Sequence, residues 1–201
     1  MTGPDVSNAP EVFRAAYGGR PIWDIGRPQG VFQRLADAGE VGGRVLDVGC
    51  GTGEHALLAA GLGLTATGID TAEAAIARAR QKAAERGLNA RFLVWNALDI
   101  GGLGEQFDTV LDSALFHVFE DGDRFRYAAA LAAVLPAGGR YHLVCFSDRQ
   151  PGSWGPRRVS QQEIRAVFEA GWRIDSIGEA TIEVASGPEG IRAVSASLTR
   201  L

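Results

Sequence analysis

Two cysteines in 201 residues, Cys50 and Cys145, stand far apart and form no C-x-x-C pair. That argues against a disulfide framework and for a reduced, cytoplasmic setting. Histidine is scarce too: His55 opens a helix and His142 lies on a strand, with no metal-ligand spacing between them, so no metal is expected. No apolar run reaches the roughly 18 residues of a membrane span. The opening Met1-Thr2-Gly3-Pro4-Asp5 lacks the basic and apolar regions of a secretory signal. Positive charge is also short, since 20 Lys and Arg against 24 Asp and Glu leave a net charge of -4. A nucleic acid is therefore not an expected partner, because phosphate binding needs a basic surface. There is no internal repeat and no low-complexity tract.

Glycine, by contrast, is plentiful, and its placement follows an alternating pattern. Residues 1–10 read as a loose arm, Glu11 to Tyr17 as a short helix stopped by Gly18-Gly19, and Pro21 to Gly30 as an ordered loop. Val31 to Ala38 has helical spacing. Short apolar runs at 44–48, 64–70, 91–95, 107–112 and 139–146 read as buried parallel strands. Helices are expected between or after them at 54–60, 72–86, 121–135 and 161–170, the last with Ser160 as N-cap. Strands near 172–182 and 193–201 end the chain with no helix between them, so one strand of the sheet should run in reverse. This alternation predicts an α/β, doubly wound, mostly parallel sheet in one domain over 31–201, with residues 1–30 as an N-terminal arm and lid.

The stretch Val45-Leu46-Asp47-Val48-Gly49-Cys50-Gly51-Thr52-Gly53-Glu54 carries the most information. Three glycines at alternate positions follow a strand and open a helix, where an open α/β sheet binds ligands. Asp70 ends the next strand, where a carboxylate can accept hydrogen bonds from both hydroxyls of a ribose. A dinucleotide loop needs G-x-G-x-x-G, and Glu54 stands where its third glycine would be. Glu54 and Asp47 would also set negative charge against a pyrophosphate, whereas a ligand with an ammonium and a sulfonium tolerates it. The alternative is a glycine turn that merely joins strand to helix.

Val45 to Gly53 resembles motif I of the class I S-adenosylmethionine-dependent methyltransferases, and Gly68-Ile69-Asp70 their ribose-binding acidic motif. Asn96-Ala97 is similar to the adenine-binding pair, although the family more often has aspartate first. Phe107 to Ser113 resembles the motif IV strand, and Leu135 to Arg140 the turn before the fifth strand. The resemblance implies a seven-stranded sheet of order 3-2-1-4-5-7-6 and S-adenosyl-L-methionine as cofactor. It places Asp47, Gly49, Cys50, Gly51, Thr52, Gly53, Asp70, Thr71, Asn96, Ala97 and Asp112 at the cofactor. Trp23-Asp24-Ile25-Gly26-Arg27-Pro28 resembles the N-terminal tryptophan loop of the thiol, thiopurine and halide methyltransferases, some relatives of which act on hydroxylated or nitrogen heteroaromatics. By that likeness Trp23 and Arg27 close over donor and acceptor; Trp23 could equally just pack the extension onto the domain.

The slot after the fourth strand reads Asp112-Ser113-Ala114-Leu115 and lacks the Asn/Asp-Pro-Pro-aromatic signature of enzymes that methylate exocyclic amines or amides. A small-molecule acceptor is therefore expected, with the chain a monomer or homodimer. His117 is the first candidate for a general base, which a phenol would need and a more acidic nucleophile would not; packing within its loop is the alternative. Phe116, Phe146, Asp148 and Arg158 complete the candidate acceptor site beside Trp23 and His117. Asp148 could instead cap a loop, and Arg158 could belong to a solvated one. The leading expectation is methyl transfer to an O, N or S atom of a small aromatic or heteroaromatic acceptor. Thiol or halide methylation, and S-adenosylmethionine binding without catalysis, are the alternatives.

Overall fold

The computed structural model describes residues 10–201; the arm expected over 1–10 lies outside them except for Pro10. Two helices lead, α1 (Pro10–Ala16) and α2 (Gly30–Asp37). Strands and helices then alternate: β1 (Arg44–Val48), α3 (Glu54–Gly61), β2 (Thr65–Asp70), α4 (Glu73–Glu85) and β3 (Ala90–Val94). They continue with β4 (Thr109–Ser113), α5 (Asp121–Val134), β5 (Arg140–Phe146) and α6 (Gln161–Val167), and finish with β6 (Trp172–Val184) and β7 (Gly187–Arg200). Two 3₁₀ turns, Ala97–Leu103 and Phe116–Val118, lie in tracts where the sequence pattern points to no element.

The strands form one sheet of order β3-β2-β1-β4-β5-β7-β6. Six run in one direction, and β7, antiparallel to both β5 and β6, is reversed. The central strands are covered on both faces, which is why β1 reads as a nearly unbroken apolar run. Helix α4 shows the complementary pattern: Ala75, Ile76, Ala79 and Ala83 are buried at helical spacing, while Arg80 and Gln81 face outward. The two faces hold separate core clusters. One packs α5 and α6 around Tyr127, Leu131 and Phe168; the other packs α2, α3 and α4 around Phe32, Leu57 and Ile76. Ser160 does cap α6, in a reciprocal capping box with Glu163.

The last two strands are longer than the sequence pattern suggests. β5 pairs with β7 only over Ala193–Thr199, but β6 and β7 stay paired as far as Val184 and Gly187. The hairpin thus projects past the end of β5. Its tip is hidden in the sequence because Gly187, Pro188 and Gly190 read as loop. The N-terminal segment docks on this tip. Gln29 and Glu183 exchange bonds, the Gln29 amide donating to the Glu183 carbonyl at 2.9 Å and the Glu183 N–H to Gln29 Oε1 at 2.7 Å. The Ala185 N–H donates to the Ile22 carbonyl at 2.8 Å.

Candidate active site

A cavity of about 940 Å³ opens at the carboxyl ends of β1, β2, β4 and β5. That is the crevice in which an open α/β sheet binds ligands, and its volume is near the top of the usual range for small-molecule pockets, about 300–1,000 Å³. One end is formed by the glycine loop and Asp70. The other is formed by aromatic side chains, the α1 region and the β6–β7 hairpin.

At the first end the backbone shapes the site. Gly49, Gly51 and Gly53 all have positive φ, of 64°, 53° and 87°, a conformation that disfavours side chains. Space excludes them as well. A Cβ on Gly51 would sit 2.5 Å from the Tyr17 hydroxyl, and one on Gly53 would sit 2.7 Å from the Phe92 ring. Asp70 Oδ2 accepts the Gly51 N–H at 2.9 Å and Oδ1 accepts the Ala72 N–H at 2.8 Å. Burial raises its pKa, partly offset by these N–H groups and that of Thr71. Each oxygen keeps a lone pair for a diol. Thr71, Cys50 and Thr52 also border the cavity. Burial drives the Cys50 thiol far above its ordinary pKa, so it is an inert filler. Asn96 Oδ1 accepts the Leu98 N–H at 3.0 Å, so its carbonyl caps the 3₁₀ turn, and the residue borders the cavity. Ala97 lies beside it on the cavity wall.

Three candidates support this end from beneath and do not line it. Gly53 is the N-cap of α3 and packs on Phe92. Asp47 is fully buried and accepts the Ala56 N–H at 3.0 Å. Asp112 accepts two backbone N–H groups, of Leu115 at 2.9 Å and Phe116 at 3.2 Å, and two hydroxyls, of Tyr127 at 2.9 Å and Tyr141 at 2.8 Å. That set leaves it no role toward a ligand; it fixes the turn after β4, where Ala114 adopts a positive φ of 66°.

The charges weighed against a pyrophosphate are both muted. Glu54 is paired with Lys82 at 2.7 Å and Arg86 at 2.8 Å. Burial pushes Asp47 up to about 8, so it holds its proton at neutral pH. Electrostatic repulsion of a dinucleotide is thus weaker than the sequence suggests, and the glycine spacing carries that distinction.

At the second end side chains build the wall. Trp23, Phe119, Phe146, Trp154, Ile182 and Ile191 line it. Phe146 meets Trp154 edge-on at 5.8 Å and His117 at 4.9 Å. His117 lies in the 3₁₀ turn after β4, buried, and its Nδ1 accepts the Phe146 N–H at 3.0 Å. Burial, with Arg124 and Arg158 adding repulsion, pushes it down to about 3.

Other acceptor-side candidates lie off the wall. Phe116 points into the core, against Phe168 and beneath Arg124, because the turn that sends His117 to the cavity sends its neighbour inward. Asp148 is exposed and takes the Ser147 hydroxyl at 3.1 Å, a loop-holding role. Arg158 stands behind the wall: its guanidinium stacks on Phe146 at 5.2 Å and Trp154 at 5.8 Å, and bonds the carbonyls of Gln150, Gly152, Trp154 and Pro156. Arg27 borders the cavity, but its guanidinium pairs with Glu183.

Tyr17 is a site residue that sequence reasoning misses. Its hydroxyl lies over Gly51 and accepts the Trp23 Nε1–H at 3.2 Å, joining α1, the tryptophan loop and the glycine loop. Its one visible signal is an aromatic ending a short helix before Gly18-Gly19. The hairpin residues Val184 and Ile191 are missed for want of the strand extension that carries them, and Ile182, at the end of the expected strand, for want of the hairpin that turns it toward the cavity.

Comparison with known proteins agrees with this geometry. A family model described as a methyltransferase domain matches residues 45–139. A 2-heptyl-1-hydroxyquinolin-4(1H)-one methyltransferase of Mycobacteroides abscessus is 36% identical over 87% of this chain and 82% of its own. An Arabidopsis thaliana protein named probable thiol methyltransferase 2 is 28% identical over 85% and 76%. Among solved structures, one from work on the conversion of a disulfide bond into a thioacetal group during echinomycin biosynthesis superposes with a TM-score of 0.85, at 39% identity over 94% of this chain and 92% of that one. Magnesium protoporphyrin IX methyltransferase from Synechocystis PCC 6803 with bound S-adenosylmethionine shares the fold, with a TM-score of 0.71 at 19% identity over the full length of both. The chain belongs to the class I S-adenosylmethionine-dependent methyltransferases. It is a methyltransferase of small molecules, with S-adenosylmethionine as its cofactor.

Proposed function

We propose that the acceptor is a small aromatic or heteroaromatic molecule methylated on an O, N or S atom. The observation that carries this reading is the aromatic and aliphatic wall facing the glycine-loop end of one continuous cavity. Flat apolar rings pack well against such edges and faces. The relative named for a hydroxyquinolone supports the same class of acceptor.

The residues present fit the cofactor. Gly49 and Gly51 border the cavity with bare backbone, because Leu115 and the Tyr17 hydroxyl occupy the space a Cβ would need; each Asp70 oxygen keeps a lone pair for a ribose hydroxyl, and Asn96 and Ala97, also on the cavity wall, would take the adenine. When bound, S-adenosylmethionine supplies a methyl group on a positively charged sulfur. The protein's part is alignment of the acceptor and exclusion of water. Exclusion of water falls to the segment over residues 10–30, which covers the cavity through Tyr17 and Trp23 and is tied to the hairpin by Gln29 and Arg27. His117 meets the reacting atom of the acceptor, and Trp23, Phe146 and Trp154 hold its ring.

The test is transfer of labelled methyl from S-adenosylmethionine to a panel of phenols, hydroxyquinolines, aromatic thiols and simple alkyl thiols, with headspace analysis for methyl halides. Turnover of the aromatic members is expected. Turnover confined to alkyl thiols or halide would replace this reading with thiol or halide methylation, and tight cofactor binding with no turnover would replace it with a binding role.

A further inference from the structure

His117 has one ring nitrogen committed. Its Nδ1 accepts a backbone N–H from Phe146 on β5 at 3.0 Å, and an atom that accepts an N–H carries no proton of its own. A neutral imidazole must then hold its proton on Nε2. Among the described residues Nε2 has no hydrogen-bond partner, and His117 lines the cavity. It therefore presents a donor there, with no free lone pair.

The charges around it keep it so. Arg124 on α5 and Arg158 in the loop after β5 act on it through their charge. Arg124 is buried over the Phe116 ring at 5.1 Å, with Nε and Nη2 unpaired and Nη1 on Glu163 at 3.1 Å. Arg158 lies over Phe146 and Trp154. Both cations oppose a third positive charge on His117 and favour a negative one in front of it. Glu120 and Asp123, at the start of α5, are the carboxylates that line the cavity from this direction.

From this geometry, and resting on the aromatic-acceptor reading above, we infer that His117 is a hydrogen-bond donor and not a base, and that the acceptor binds already ionised, its anionic atom receiving the Nε2–H. The favoured substrates are then acidic O–H, N–OH or S–H compounds that lose their proton to solvent before binding. The acceptor's lone pair forms the bond to the methyl carbon while the carbon–sulfur bond breaks and its electron pair remains on sulfur. The acceptor's negative charge and the sulfonium's positive charge cancel, so no proton has to leave the closed site.

Three measurements on the full chain test this. In ¹⁵N spectra of histidine-labelled protein without cofactor, His117 should remain the neutral Nε2–H form from pH 5 to 9; a protonated or Nδ1–H ring overturns the inference. With 4-nitrophenol as chromogenic probe, the bound form should be the nitrophenolate, and its affinity should exceed that of the neutral phenol by roughly tenfold or more, as charge-assisted bonds do; equal affinity overturns it. In the pH dependence of kcat/KM, the inflection should follow the acceptor's own acidity between 4-nitrophenol and less acidic phenols. His117→Gln, which can donate but cannot act as a base, should lower kcat/KM by up to about tenfold, as a changed hydrogen bond does, and leave the inflection where the acceptor's acidity sets it. An inflection fixed across acceptors and abolished in His117→Gln would mark a base. A protein that binds nitrophenolate as expected but methylates nothing in the panel would overturn the proposed function and not this inference.

Discussion

The two ends of the cavity are made of different material. At the donor end the backbone defines the shape: three glycines in a conformation few other residues adopt, with Asp70 accepting the Gly51 N–H of the loop and the Ala72 N–H beside it. At the acceptor end side chains define it, contributed by α1, the tryptophan loop, β5 and its following loop, and the hairpin. Backbone geometry tolerates little change, so under the proposed function the first end would suit one fixed ligand, the cofactor. A wall of side chains can be rebuilt one residue at a time without disturbing the sheet, so under the proposed function the second end is the one that would set acceptor choice. Substitutions at the two ends should therefore separate cofactor affinity from acceptor affinity.

Asp70→Ala should have the largest effect. It removes the carboxylate expected to take the ribose hydroxyls and also the acceptor of the Gly51 and Ala72 N–H groups. Charged hydrogen bonds contribute about 1.5–3 kcal/mol each, so cofactor affinity should fall at least about a hundredfold. Calorimetric titration with S-adenosylhomocysteine checks this. An unchanged Kd would place the cofactor elsewhere and end the contrast between the two halves.

The buried histidine gives the acceptor end a pH signature. Its pKa in the fold is about 3, below the ordinary 6.5, so between those values the unfolded chain binds more protons than the folded one. Stability from this group is complete above pH 6.5 and is lost as the pH falls, by about 1.4 kcal/mol per pH unit. His55, held at about 4 by burial, acts in the same direction. His117→Gln should flatten the loss by about one proton's share, roughly 1.4 kcal/mol per unit, in urea unfolding at pH 6.5 and 5. Parallel curves for the two proteins would show that His117 is already protonated in the fold.

At the aromatic wall, Trp154→Ala removes a large exposed ring that packs on Phe146 and Arg158. Aromatic pairs contribute about 0.5–1.5 kcal/mol beyond the area they bury, so the acceptor KM should rise about tenfold. The cofactor Kd should stay within about twofold, because Trp154 belongs to the other end. Equal losses in both would mean that the two ends are one unit.

The sequence carried the donor end better than the acceptor end, for a physical reason. The loop from Asp47 to Gly53 and the carboxylate at Asp70 are local patterns: glycine spacing and the end of an apolar run suffice to place them. The acceptor end depends on long-range placement. Whether Phe116 or Phe119 reaches the cavity is decided by a 3₁₀ turn pinned by Asp112, not by spacing. The tautomer of His117 is set by a backbone N–H on a strand far along the chain. The extended hairpin forms because β6 and β7 pair beyond the sheet, against the local preference of Gly187 and Gly190. Element order was legible throughout, since burial of the strands on both faces writes itself as apolar runs.

The smallest effect should come from the joint between the two ends. Trp23 donates to Tyr17, whose hydroxyl lies directly over Gly51. Trp23→Phe keeps a ring in the wall and removes that one bond, a change of about 0.5–1.5 kcal/mol. Because Tyr17 touches the donor loop and Trp23 the acceptor wall, the loss should be shared, about threefold in cofactor Kd and about threefold in acceptor KM. Tyr17→Phe should reproduce it, and the double variant should be no worse than either single one, since all three remove the same bond. Additive losses in the double variant would mean that each residue acts on its own end, and that the lid does not couple them.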